Sequence, residues 1–100
     1  MKLRWAAPAL RDLEEIGDYI ARDGLAAAAR VVAAILDQAE LLTTHPHIGR
    51  PGRVAETREL VITDAPYIVP YRVRGEDVQI LAVLHGARRW PQAFPCGAPT

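Results

Sequence analysis

The chain has 100 residues, 50% of them hydrophobic and 24% charged, and its 12 basic and 12 acidic side chains balance to zero. That length and apolar content suffice for one domain with its own core, and the single cysteine, Cys96, has no internal partner, which points to a reducing compartment. With no signal-peptide pattern at the start, no apolar run near the ~20 residues of a membrane span and no serine anywhere, the composition suggests a cytoplasmic protein without a serine nucleophile.

Lys2-Leu-Arg-Trp5 alternates polar and apolar, as a short strand does with Leu3 and Trp5 turned inward. Pro8 suits the first turn of a helix, where a missing N–H costs nothing. Leu10, Leu13, Ile16 and Ile20 then recur at helical spacing, with Glu14, Glu15 and Asp18 on the opposite face. Gly24 is expected to end this helix in the left-handed conformation. A second helix is expected from Leu25 to about Thr44, with Val32, Ile35, Leu36, Ala39 and Leu42 as its stripe and Ala26 to Ala29 allowing close approach. The link is too short for anything but an antiparallel hairpin, and His45-Pro46 stops the second helix.

Residues 47–55, with Gly49, Pro51 and Gly52, read as loop. Thr57 to Ile62 is a strand, followed by a turn at 63–66. In the next strand Tyr67, Val69, Tyr71 and Val73 share one face, while Ile68, Pro70 and Arg72 share the other. Gly75-Glu76-Asp77 makes a hairpin connection into Val78 to Leu84, apolar on both faces as an interior strand is. Pro70 removes a ladder donor, so a bulge or a local gap in pairing is expected there. Residues 92–100, rich in proline, glycine and alanine, read as an irregular tail after a single domain over 1–91. The order β-α-α-β-β-β gives an α+β fold: a helical hairpin packed on a twisted, mostly antiparallel sheet.

The charges are unevenly spread. Residues 11–40 carry seven acids against three arginines, a net of −4, whereas residues 41–100 carry seven arginines against five acids, a net of +2. Arginine suits bidentate contact with carboxylate or phosphate, although +2 alone does not establish nucleic-acid binding.

Several stretches carry a family likeness when taken together: Ala9-Leu-x-x-Leu13 through Tyr19-Ile-Ala21, Pro46-x-x-Gly-Arg-Pro-Gly52, Arg58-Glu-Leu60, Tyr67-x-x-x-Tyr71-Arg-Val73 and Val83-Leu-His-x-x-Arg-Arg89. In this order they resemble the ParE/RelE superfamily of type II toxin–antitoxin toxins. The resemblance implies the same fold and one of two activities: cleavage of messenger RNA on the ribosome, as in RelE-like members, or poisoning of DNA gyrase, as in ParE-like members. RNA cleavage needs a base, an acid and cations around the phosphate, and Arg58, Arg72, His85 and Arg88 are the residues that would supply them. Ile68 stands where RNA-cutting relatives commonly carry arginine, and Glu59 and Leu60 stand where lysines are seen. The ParE-like branch is therefore favoured, with Arg88, Arg89 and Trp90 as the target-binding candidates. A member with no toxicity, acting only by binding its antitoxin and promoter DNA, is a third reading.

The same resemblance implies a ParD-like antitoxin in a hetero-oligomer, seated on parts of the Leu13, Ile16, Ile20, Val32 and Leu36 stripes. No cofactor is implied. His45-x-His47, even with His85 or Cys96, lacks the spacing of a metal site, and the 49–52 loop lacks the lysine of a phosphate-binding loop.

Overall fold

A computed structural model describes residues 1–86. The expectations placed on Arg88, Arg89, Trp90, Cys96 and the 92–100 tail fall outside the described residues.

The first strand, β1 (Lys2–Trp5), leads directly into α1 (Ala7–Ala21), with Pro8 in its first turn. The buried register of α1 starts at Ala9 rather than at Leu10. Ala9 is fully buried and Leu13, Ile16 and Ile20 pack beside it, while Leu10 is 48% exposed. Ala9, Leu13, Ile16 and Ile20 are spaced four, three and four, which keeps them on one helical stripe. Gly24 corrects the expected left-handed terminus: its φ of 166° is extended backbone, and it stands as the N-cap of α2 (Leu25–Glu40). The end of α1 is satisfied instead by the Arg22 and Asp23 N–H groups, which donate to the Tyr19 and Ile20 carbonyls. The two helices approach closely at Gly17, where a methyl group would lie 3.4 Å from Val32 Cγ2. The helix predicted to reach Thr44 tightens into a 3₁₀ turn over Leu41–Thr43 before His45-Pro46.

Five further strands follow. These are β2 (Arg50–Pro51), β3 (Arg58–Val61), β4 (Tyr67–Arg74), β5 (Asp77–Ile80) and β6 (Leu84–His85). Their order is β1-β5-β4-β3-β2, with β6 added to β4. Only β1 with β5 is parallel among these pairs. A parallel neighbour needs a long crossover, and everything from α1 to β4 lies between the two strands. Helix residues Ala9, Ile35 and Leu42 close over Leu60, Ile62, Tyr67, Val69, Tyr71, Val78 and Ile80 on one sheet face, forming the core. Among the described residues no helix is long and apolar enough to cross a membrane.

Three strands differ in their bounds from expectation, β3 being one residue shorter at each end than Thr57 to Ile62. Residues 50–51, expected as loop, form the edge strand β2, paired Arg50 to Glu59 and Pro51 to Arg58. The run expected as one strand from Val78 to Leu84 is split. Tyr71 pairs with Ile80 but Ile68 pairs with Leu84, so three residues (81–83) face two (69–70), which is a one-residue bulge. The expected irregularity at Pro70 thus falls on its partner. Ile62 N–H donates to Tyr67 O, and hydrogen-bonded pairs alternate along an antiparallel ladder. The Pro70–Glu59 pair is then a non-bonded one, and the missing N–H points toward 81–83, where the ladder breaks.

Candidate functional site

Strand alternation turns Tyr67, Val69 and Tyr71 toward the helices, and their directly opposite partners share that face. His85 is opposite Tyr67 at one end of β4, and Arg58 is opposite Tyr71 near the other. Four residues of strand separate the two positions, roughly 13 Å at ~3.3 Å per residue. Two clefts result, one at each end.

The larger cleft, about 550 Å³, opens where β1 has already turned into α1 and α1 side chains flank β6. It is lined by Asp12, Glu15, Asp18 and Tyr19 of α1 and by Arg22 just after it, with Ile16 as well, and by Tyr67, Val83 and His85. Glu15, Asp18, Tyr19 and Arg22 are spaced three, four and seven residues on, a single helical stripe. Asp12 Oδ2 accepts the Val83 N–H at 3.0 Å, satisfying the strand where it breaks. The rings of Tyr67 and His85 meet edge to face, 5.6 Å apart at 82°. Among the described residues, three carboxylates against one arginine give the lining a net of −2, counting His85 as neutral.

The smaller cleft, about 310 Å³, is lined by His47, Pro51, Glu56, Thr57, Arg58, Arg72 and Val73. Here the arginines serve the fold. Arg58 donates from one terminal nitrogen to the carbonyls of Gly49 at 2.8 Å and His47 at 3.3 Å, and Arg72 Nε donates to Gln79 Oε1 at 2.6 Å. The structure brings Arg58 and Arg72 together and keeps both apart from His85.

Behind this cleft lies a second device, built on Glu59. Glu59 is only 2% exposed. It accepts from Arg50 Nε at 3.0 Å, from the Arg53 backbone N–H at 2.8 Å and from Arg53 Nε at 3.3 Å. Desolvation alone would raise its pKa, but the Arg53 amide, the Arg50 hydrogen bond and the two guanidinium charges together hold it below the ordinary carboxylate value. Tyr71 anchors the same loop from the core: its hydroxyl donates to Pro46 O at 2.8 Å and accepts from Gly49 N–H at 2.9 Å. Burial pushes the Tyr71 pKa up, against the opposing Gly49 hydrogen bond and Arg58 charge. A side chain on Gly49 would meet the Tyr71 ring at 2.6 Å. The Pro46-to-Gly52 motif is therefore a loop fastened to the sheet from both faces. The only sequence signal for the clamp was an acid set among arginines 50, 53 and 58.

Of the residues proposed from sequence to seat an antitoxin, Leu13, Ile16 and Ile20 are half-buried against the core and Val32 is half-buried between the helices. Leu36 is 41% exposed. Tyr19 at 65% and Leu25 at 79% are more openly presented apolar groups on the same hairpin. Among the described residues no three His, Cys, Asp or Glu side chains gather as a metal site.

Comparison with known proteins agrees with this architecture. The family described as "ParE toxin of type II toxin-antitoxin system, parDE" matches residues 3–90. A putative toxin, Y4kP, of Sinorhizobium fredii is 53% identical over 93% of this chain and 96% of its own length. Toxin RelE2 of Caulobacter vibrioides is 37% identical over 84% of this chain and 93% of its own. A chain from the solved chromosomal ParDE TA system of P. aeruginosa superposes with a TM-score of 0.77 at 32% identity, covering 83% of this chain and 92% of that one.

Proposed function

The chain belongs to the ParE toxin family of type II toxin–antitoxin systems, within the ParE/RelE superfamily, and from that membership we propose that it arrests growth by binding DNA gyrase and is silenced by a ParD-like antitoxin. The observation that carries this over RNA cleavage is the setting of His85. The one histidine proposed as an acid or base lies in a cleft walled by Asp12, Glu15 and Asp18. Carboxylates there raise the cost of bringing a phosphodiester to the imidazole. The cations that phosphoryl chemistry needs around its transition state are not beside it among the described residues, Arg22 apart: Arg58 and Arg72 are engaged with Gly49, His47 and Gln79 at the far end of β4. On this reading the protein acts by contact. Arg88, Arg89 and Trp90, which follow β6 in sequence, are the residues through which we propose the target is held. The helical hairpin is the proposed seat of the antitoxin, reached through Leu36 and Ile16 and the edges of Leu13, Ile20 and Val32.

Induction of the protein in cells tests this directly. Gyrase-linked chromosome breaks should accumulate, and a His85→Ala variant should produce them equally well. Site-specific new 5′ ends in translated messages, lost in His85→Ala, would overturn the proposal in favour of a ribonuclease.

A further inference from the structure

The α1–β6 cleft has features that the family assignment does not account for. No ion pair among the described residues engages Glu15 or Asp18. Beside them, Tyr67 is 9% exposed; its ring meets that of His85, and among the described residues its hydroxyl makes no hydrogen bond. A buried hydroxyl without a hydrogen bond is rare, so this phenol, which lines the cleft, suits a donor that enters it. Tyr19 offers an open aromatic face at the rim, and Arg22 Cζ stands 5.7 Å from that ring's centroid. The ring is thus placed where a guanidinium is held by its quadrupole.

We propose that this cleft is a receptor for an arginine side chain of the antitoxin. The planar guanidinium would pair with the carboxylates of Glu15 and Asp18, donate to the Tyr67 hydroxyl and stack on Tyr19. Charge complementarity selects the occupant: the described lining has a net of −2 and residues 11–40 a net of −4, so a cationic segment is attracted and an acidic one repelled. Arginine is favoured over lysine because only a flat, forked cation meets two carboxylates and an aromatic face together. The carboxylates do not converge as metal ligands do. Asp12 is already engaged by Val83, so recognition rests on Glu15, Asp18, Tyr19 and Tyr67. This inference depends on the antitoxin partnership proposed above.

The test is the dissociation constant of the purified antitoxin encoded beside the gene for this chain, measured at two salt concentrations. Glu15→Gln with Asp18→Asn should weaken binding at least tenfold and reduce its salt dependence. Tyr67→Phe, which removes a hydroxyl the fold does not use, should weaken it several-fold while leaving the circular dichroism spectrum and Tm unchanged. Glu14→Gln, also on α1 but away from the cleft lining, should bind like wild type. Replacing the responsible antitoxin arginine with alanine should make the Asp18→Asn change nearly silent in a double-mutant cycle, and replacing it with lysine should not restore affinity. If wild type binds and both the Glu15/Asp18 pair and Tyr67→Phe bind within twofold of it, the cleft is not the receptor. If those variants keep antitoxin binding but lose toxicity, the cleft serves the target instead and the proposal fails. If wild type does not bind the antitoxin at all, the partnership itself is wrong.

Discussion

Glu59 shows how a single buried carboxylate can hold a loop in place. Its side chain is 3% exposed, whereas those of its partners Arg50 and Arg53 are 51% and 47% exposed, so the pair sits at a boundary rather than in the dry interior and escapes most of the penalty of a fully buried ion pair. Glu59→Gln keeps the shape and loses the charge-assisted bonds, and should cost about 1–2 kcal/mol in chemical denaturation. The pH dependence has a definite sign. The folded pKa is depressed below the ordinary 4.5, so the charge contributes fully above that value and its contribution disappears as pH falls through the lowered one. The gap between wild type and Glu59→Gln should therefore close in acid. Tyr71→Phe leaves the Gly49 N–H and the Pro46 carbonyl without their partner and should cost about 1–3 kcal/mol, with proteolysis first appearing in residues 46–52. Neither interaction could be read from sequence. The acid and the tyrosine were visible, but a strand pattern says which face a residue occupies, not which loop returns to meet it.

The helices were legible because burial against a sheet imposes a 3.6-residue period. Even there Leu10 and Ala9 exchanged roles, since a stripe at Ala9, Leu13, Ile16 and Ile20 fits the helical spacing as well as one through Leu10. Propensity and packing agree at Gly17. This residue is mid-helix and a methyl there would touch Val32 Cγ2 at 3.4 Å, a normal contact distance. Gly17→Ala should raise stability by about 0.5–1 kcal/mol, seen as a higher denaturation midpoint. A fall in stability would show that the helices pack more tightly than this spacing. Gly24 failed as a left-handed cap because the link serves the start of α2 rather than the end of α1. The hairpin at Gly75 was legible from its glycine, whose φ of 58° suits the first central position of a type II′ turn. The two-residue strands β2 and β6 were not, because nothing local distinguishes them from loop or from a longer strand: β2 is held to β3 by Glu59 through Arg50 and Arg53, and β6 is parted from β5 by the bulge opposite Pro70.

At the level of the whole molecule, the order of elements and the unequal charge of the two halves were enough to place the fold and the family. They did not show that the negative half would present a cleft backed by a phenol, since Tyr67 is brought to α1 by the sheet from 48 residues beyond Tyr19. Nor did they show that Arg58 and Arg72 would be separated from His85 by much of a strand. That separation is the ground on which we propose a binding toxin rather than a cutting one. The most direct measurement is supercoiling of relaxed plasmid by purified gyrase in the presence of the purified protein, with and without its antitoxin. Inhibition with gyrase-linked DNA breaks, abolished by equimolar antitoxin and retained by His85→Ala, is the expected result; full gyrase activity at a concentration of protein that arrests growth in cells would contradict the account.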